Sequence, residues 1–188
     1  MHHPFLAGTR LYLRGLEPSD LDGSYFQWFN DQNVCQHNYH GRFPNFPSRM
    51  DAYFQHVATG SPNDLVLAIV LNDRNLHIGN ISLLGIDWFS RQAEFAILLG
   101  DRNYWGMGLS KEAAGLLARH AFSTLNLRRL WCGTSVANLP MQALARALGM
   151  REEGRQRQAL YKNGVYHDIV LFGALREEFF DSRMGEGQ

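Results

Sequence analysis

Between residues 98 and 110 an apolar run, Leu98-Leu99, passes through Gly100-Asp101-Arg102-Asn103-Tyr104-Trp105 into Gly106-Met107-Gly108, and Leu109-Ser110 then opens a helical pattern. Glycine has no Cβ, so a Gly-x-Gly turn lets backbone N–H groups close on a ligand, and a helix starting there points its positive dipole end the same way. Strand, glycine turn and helix start together describe an anion site into which a pyrophosphate would fit. The pattern says phosphate without saying which one, and a plain tight strand-to-helix turn is the other use of the same glycines.

A second concentration of chemistry lies upstream. Tyr25, Phe26, Trp28, Phe29, Tyr39, Phe43, Phe46, Tyr53 and Phe54 crowd into thirty residues, interleaved with Asn30, Asp31, Asn33, His37, Asn38 and His40. Aromatic faces beside amide and imidazole groups suit a sugar ring or a nucleobase, which makes Trp28, Asn30 and Tyr39 candidate substrate contacts. The helical spacing of Trp28 and Phe54 fits a role in the core as well. Other chemistries are excluded. The eight histidines form no pair with a cysteine or carboxylate at metal spacing, so no metal is expected. A lone His120 on a mostly apolar helix face reads as packing, and Cys132, between Trp131 and Gly133 in a strand, as a buried inert thiol.

Positioning these groups is the work of one chain of 188 residues, enough for one sizeable domain with a core. Lys plus Arg and Asp plus Glu balance at 18 each, so no net field draws the protein to nucleic acid or an anionic membrane. Two distant cysteines and an N-terminus without a charged start and apolar run predict a reduced, cytoplasmic protein, and no apolar stretch approaches the ~20 residues of a membrane span.

The periodicity predicts a strand at Leu11 to Leu13, then a helix from Pro18 carrying Leu21, Tyr25 and Trp28 on one face. An irregular loop covers Asn30 to Pro47, and a capping box at Ser48-Arg49-Met50-Asp51 opens a second helix to about Val57. Strands follow at Leu65 to Leu71, Ile78 to Leu84 and Ala93 to Leu99, as an antiparallel meander. A helix from Leu109 to about Leu125 leads to a strand at Arg129 to Val136, a unit that normally closes parallel pairing. Asn138-Leu139-Pro140 starts a helix stopped by Gly149, and Gln158 to Tyr161 with Tyr166 to Phe172 form a hairpin around Asn163-Gly164.

The order of elements, Gly106-Met107-Gly108, Asn138 followed by Gly149-Met150 and the Asn163-Gly164 hairpin resemble the acetyl-CoA-dependent N-acetyltransferases of the GNAT superfamily. Ile78-Gly79-Asn80-Ile81, Ala93-Glu94-Phe95, Tyr104-Trp105-Gly106-Met107-Gly108 and Glu153-Gly154 look like its ribosomal-protein-alanine and small-molecule branch. The resemblance runs from Leu11 to Phe172. It implies an α/β (α+β) fold in a single domain, residues 1–188 with a core from about 10 to about 175. A mixed, strongly twisted sheet of about seven strands would be flanked by about four helices.

The resemblance also implies roles. Acetyl-CoA is the cosubstrate. The backbone of Phe95, Ile97, Leu98 and Leu99 would pair with the pantetheine arm, the amides of Asn103, Tyr104, Trp105, Gly106, Met107, Gly108, Leu109 and Ser110 would hold the pyrophosphate, and Asn138 would contact the pantetheine or the linker on its adenosine side. Asn103 stands where the family usually has Gln or Arg, and Met150 where it has an aromatic residue. The reaction is attack of an amine on a thioester. An ammonium is not a nucleophile, and Glu94, at the start of the strand leading to the glycine turn, is the candidate catalytic base, directly or through water. A solvated strand glutamate or a partner for Arg91 is its structural reading. A backbone N–H between Ile97 and Leu99 would serve the oxyanion.

The tyrosine that often protonates the leaving thiolate is replaced by Ala145. Ser135, Tyr161 and Tyr166 are the hydroxyls to weigh in its stead, and a thiol pKa near ~8.5 lets the reaction do without a dedicated acid. The acceptor expected is a small-molecule amine. Trp28-Phe29-Asn30-Asp31-Gln32-Asn33-Val34 looks like the entry of amino-sugar-nucleotide N-acetyltransferases. Polyamine acetylation, which would want several carboxylates beyond Asp31 and Asp51, N-terminal acetylation of a ribosomal protein, and a non-catalytic acyl-CoA-binding module are the alternatives. Some relatives pair through the C-terminal hairpin, so a homodimer is among the expectations.

Overall fold

Every position of Leu65–Leu71 is apolar because this strand lies inside a sheet covered on both faces, and it is buried almost throughout. The computed structural model describes residues 3–58 and 60–184; His2 and the ends of the expected 1–188 domain lie outside them. The strands are β1 (Leu6–Ala7), β2 (Leu11–Gly15), β3 (Leu65–Leu71), β4 (His77–Asp87), β5 (Gln92–Leu99), β6 (Arg129–Ser135), β7 (Arg151–Lys162) and β8 (Val165–Leu175). They form one sheet in the order β1-β2-β3-β4-β5-β6-β8-β7. All neighbours are antiparallel except β5 and β6, which are joined by a crossover through α4 (Leu109–Ser123). The other helices are α1 (Pro18–Leu21), α2 (Tyr25–Trp28), α3 (Pro47–Ala58), α5 (Leu139–Ala147) and α6 (Arg176–Met184).

One face of the sheet packs on α4. Leu11, Leu13, Ile69, Ile81 and Phe95 meet Ala113, Leu117 and Ala121, whose small side chains let the helix lie close. Ala145 and Met150 complete the same core. The opposite face carries a smaller cluster of Tyr25, Trp28, Val34 and Met50, contributed by α2, the following loop and α3.

The structure departs from the sequence expectations where local chemistry competes with period. The helix expected from Pro18 to Trp28 is split into α1 and α2. Gly23 disfavours helix, and Asp20 is spent on starting α1, where it accepts from the Glu17 amide and pairs with Arg14. The sheet has eight strands and not seven, because two-residue β1 is too short to show alternation. Among the described residues six helices replace four, the additions being the split of α1 from α2 and the charged α6, held by Phe179 against Phe122. The hairpin's first strand begins at Arg151, seven residues before the expected Gln158. Its polar, exposed run Arg151-Glu152-Glu153-Gly154-Arg155-Gln156-Arg157 belongs to a sheet edge with two register shifts. The turn itself follows the Asn-Gly rule, with Asn163 and Gly164 at φ of 52° and 81°. Among the described residues no helix is long and apolar enough to cross a membrane.

Candidate active site

The sheet opens in its middle. β5 and β6 pair over only three rungs, Gln92↔Arg129, Ala93↔Leu130 and Glu94↔Trp131. Beyond Glu94, β5 runs on along β4 to Leu99, while β6 runs on along β8 to Ser135. Among the described residues the edge of Phe95–Leu99 that faces β6 therefore has no strand partner, and its N–H and C=O groups short of the Leu99 carbonyl are open to an extended ligand. At its far end the Trp105 indole N–H donates to the Leu99 carbonyl at 2.7 Å, tying the glycine turn to β5.

The turn continues from that edge. Asn103 N–H is held by the Asp101 side chain, and those of Tyr104 and Trp105 by the carbonyls of Asp101 and Arg102, in the 3-10 turn Arg102–Tyr104. These three amides, expected at the pyrophosphate, are already spent. The next five, Gly106 through Ser110, donate to no acceptor among the described residues. Gly106 and Gly108 are both at φ 74°, a left-handed conformation that L side chains resist, and a Cβ on Gly106 would meet nothing within 4 Å. Gly108 is the N-cap of α4, so the free amides lie at the positive end of that helix. Arg10 braces the turn by donating to the Met107 carbonyl while pairing with Glu112. Burial alone would raise the Glu112 carboxyl, but the hydrogen bonds from Arg10 hold it low.

Glu94 occupies the last rung before the strands part. It lies opposite Leu84 of β4, on the sheet face of Asn80, Ser82, Ala96 and Leu98. Burial raises its carboxyl above the ordinary glutamate value, and no ion pair to Arg91 or other hydrogen-bond partner among the described residues offsets this. A half-buried carboxylate of raised basicity, unpaired and beside an opening, is suited to receiving a proton. Asn138 stands across the opening, where β6 leads into α5. Its Oδ1 accepts from Met141 N–H and its Nδ2 donates to Thr134, so the side chain caps the helix.

The hydroxyls that were weighed as acids lie away from this opening or are engaged. Ser135 is buried and accepts from Ala137 N–H, and Tyr161 and Tyr166 stack on each other on the exposed hairpin. Ala145 is fully buried in the core and offers no hydroxyl. Burial pushes the Cys132 thiol up to about 12, with the Glu94 charge adding to it, consistent with an inert residue. Among the described residues no group of His, Cys, Asp or Glu is placed to hold a metal.

On the Glu94 face of the sheet a cleft of about 610 Å³ is floored by Asn80, Ser82, Leu84 and Ala96 and walled by Tyr25, Phe29, Tyr39, Phe43, Met50 and Tyr53. Of the three residues singled out as substrate contacts, Tyr39 lines this cleft, 56% exposed. Trp28 does not. It is 6% exposed and packs so tightly on Gly100 that a Cβ there would fall 1.9 Å from the indole. Asn30 does not either, because its amide exchanges hydrogen bonds with the Asn45 backbone and closes the loop.

Behind the wall runs a buried polar chain that the sequence reading did not identify. Arg14 grips Asp20 with two hydrogen bonds of 2.8 Å, and Asp20 Oδ1 lies 3.2 Å from His77 Nδ1. His77 Nε2 lies 3.0 Å from the Gly79 carbonyl, which can only accept, and 2.7 Å from Asn80 Oδ1. Nε2 therefore carries a proton, and the Asn80 amide turns its NH₂ to the Tyr25 hydroxyl, which in turn bonds Tyr53. Burial opposes charge on Asp20, but the bonds from Arg14 and His77 prevail and keep its carboxyl far below the usual range. The available signal was the alternation Asn80, Ser82, Leu84, which puts polar groups on an inward sheet face.

Residues 10–151 match the family model of the acetyltransferase (GNAT) domain. A Bacillus subtilis protein provisionally named a ribosomal N-acetyltransferase is 34% identical over 101 residues, 54% of this chain and 55% of that relative. The uncharacterized N-acetyltransferase p20 of Bacillus licheniformis is 29% identical over 177 residues, 90% of this chain and 95% of its own. The crystal structure of spermidine N-acetyltransferase from Vibrio cholerae in complex with CoA and spermine superposes with a TM-score of 0.83 at 21% identity, covering 91% of this chain and 98% of that one.

Proposed function

The chain belongs to the GNAT acetyltransferase family and is an N-acetyltransferase, and from that premise we propose that it uses the β5–β6 opening for acetyl-CoA and the aromatic cleft for a small-molecule primary amine. One N-acetyltransferase domain, with its core at about residues 10–175, carries both sites. The observation that carries this reading is the free edge of Phe95–Leu99 running into the five undonated amides of Gly106 through Ser110. An extended, amide-bearing arm ending in a pyrophosphate matches that row of partners. Bound there, acetyl-CoA supplies a thioester carbonyl at the point where the two sites meet.

On this reading Glu94 takes the proton from the ammonium, leaving a neutral amine, a role supported by its position at the opening and its raised basicity. As the new C–N bond forms and the C–S bond breaks, the thiolate leaves and takes up a proton. With Ala145 buried, this chain relies on the intrinsic leaving ability of the thiol. An amino sugar nucleotide, suggested by the aromatic and amide groups of the loop, is an acceptor of the right chemistry for the cleft, although none of the relatives described above is named for one. A polyamine is the second reading, favoured by the likeness to the Vibrio structure that holds spermine.

The experiment is a free-thiol assay with acetyl-CoA and a panel of amino sugars and their nucleotides, amino acids, short peptides and polyamines. Thiol release with one class supports transfer and identifies the acceptor. Silence across the panel, with acetyl-CoA still bound in calorimetry, overturns the small-molecule reading.

A further inference from the structure

We infer that the acceptor carries an anionic group, a carboxylate or a phosphate, beside its amine, and that Arg42 and Arg49 receive it at the mouth of the cleft. The inference rests on the transferase reading above and narrows its substrate class. Both arginines line the cleft, and no carboxylate does. Neither arginine forms an ion pair among the described residues; Arg42 lies over the Tyr39 ring at 4.9 Å and donates to the Tyr161 carbonyl.

The field at this mouth is strengthened from a third side. Lys162, at the hairpin tip, donates to the carbonyls of Asn38 and His40 and so brings a further cation against the same segment. Burial, Arg49 and Lys162 together lower the His40 imidazole, which adds a neutral group and not another charge. The acid of the loop that could have balanced them, Asp31, is turned away: it caps Asn33 and Val34 and lies 3.7 Å from Arg102. Asp64 is held by Ser61 and the Gly85 amide, and Asp20, behind the wall, by Arg14.

A cleft lined by two guanidinium groups without ion pairs and by aromatic walls, with Glu94 beyond its lining as the one acid at the floor, disfavours a polycation and attracts a ring-bearing anion. The amine end is then left to reach the floor beside Leu84, where Glu94 stands.

The test measures kcat/KM by thiol release for matched pairs: glucosamine against glucosamine 6-phosphate, tyramine against tyrosine, with spermidine as the polycation. The anionic member of at least one pair is expected to exceed its partner by tenfold or more, and the phosphate and carboxylate arms identify which anion is used. In the double variant Arg42→Gln/Arg49→Gln that preference should shrink to under threefold, and each exposed single variant should move it in the same direction. Spermidine as the best substrate, or an anion preference untouched by both substitutions, overturns the inference. Should no amine release thiol, the transferase reading fails, and calorimetric titration of the CoA-bound protein with glucosamine 6-phosphate and tyrosine decides separately. Binding of either that is lost in the double variant supports an arginine-held anion, and no binding of either, or binding independent of the arginines, refutes it.

Discussion

The two halves of the proposed site are built from different materials. The cofactor half is backbone: a strand edge released by the parting of β5 and β6, and a row of amides released by two left-handed glycines. The acceptor half is side chain: aromatic walls, two arginines and a polar floor, resting on the buried chain from Arg14 to Tyr25. Backbone recognition tolerates changes of side chain as long as φ and space are kept, whereas side-chain recognition changes with each substitution. One framework can therefore keep its donor and change its acceptor.

The sharpest break in this contrast is Gly106→Trp. A Cβ at this exposed position meets nothing within 4 Å, so the indole covers the proposed anion site at the cost of about 1–2 kcal/mol of backbone strain. Acetyl-CoA affinity should fall by at least ~100-fold, about 2.7 kcal/mol, in calorimetry. The thermal transition should remain cooperative. Glu94→Gln should divide the halves differently. Turnover drops by roughly 10²–10⁴, while acetyl-CoA affinity stays within about twofold. Because a base acts when deprotonated and burial raises this carboxyl, wild-type kcat/KM should climb with pH through a midpoint above the ordinary glutamate value of ~4.3, and the variant should lose that limb.

Asp20→Asn tests what the acceptor wall rests on. Leaving Arg14 buried without its carboxylate should cost roughly 3–5 kcal/mol in denaturant unfolding. Since folding depresses the Asp20 carboxyl, the unfolded chain takes up its proton first as pH falls. The stability Asp20 contributes is therefore complete above the ordinary aspartate range, near pH ~4, and is lost progressively below it in the wild type. The smallest effect expected is that of Trp105→Phe, which removes the bond to Leu99. It should weaken acetyl-CoA by about 1 kcal/mol, roughly fivefold, and leave acceptor KM unchanged.

The same division of materials governs what could be read in the sequence. Gly106 and Gly108 announce the proposed anion site because glycine before a helix reports on backbone, and the two left-handed residues with free amides are a backbone feature. The meander, α4 and the Asn163-Gly164 turn were equally legible, since period and turn chemistry are local. That Trp28 and Asn30 lie outside the cleft lining was illegible for the opposite reason. An aromatic and an amide look alike whether they face a ligand or Gly100 and Asn45, and only tertiary packing distinguishes the two. Arg42 and Arg49 gave no signal in a chain with balanced charge, because what singles them out is the turning away of Asp31 toward Arg102. β7 was cut short by its own polarity, which is what an edge strand needs.

Amide hydrogen exchange with and without acetyl-CoA tests the central claim most directly. The account predicts new protection concentrated at Gly106 through Ser110 and along Phe95–Leu99, with little change in Asn103 to Trp105, whose amides are already bonded within the protein. Protection located elsewhere, or none in these two segments while acetyl-CoA is bound, would contradict it.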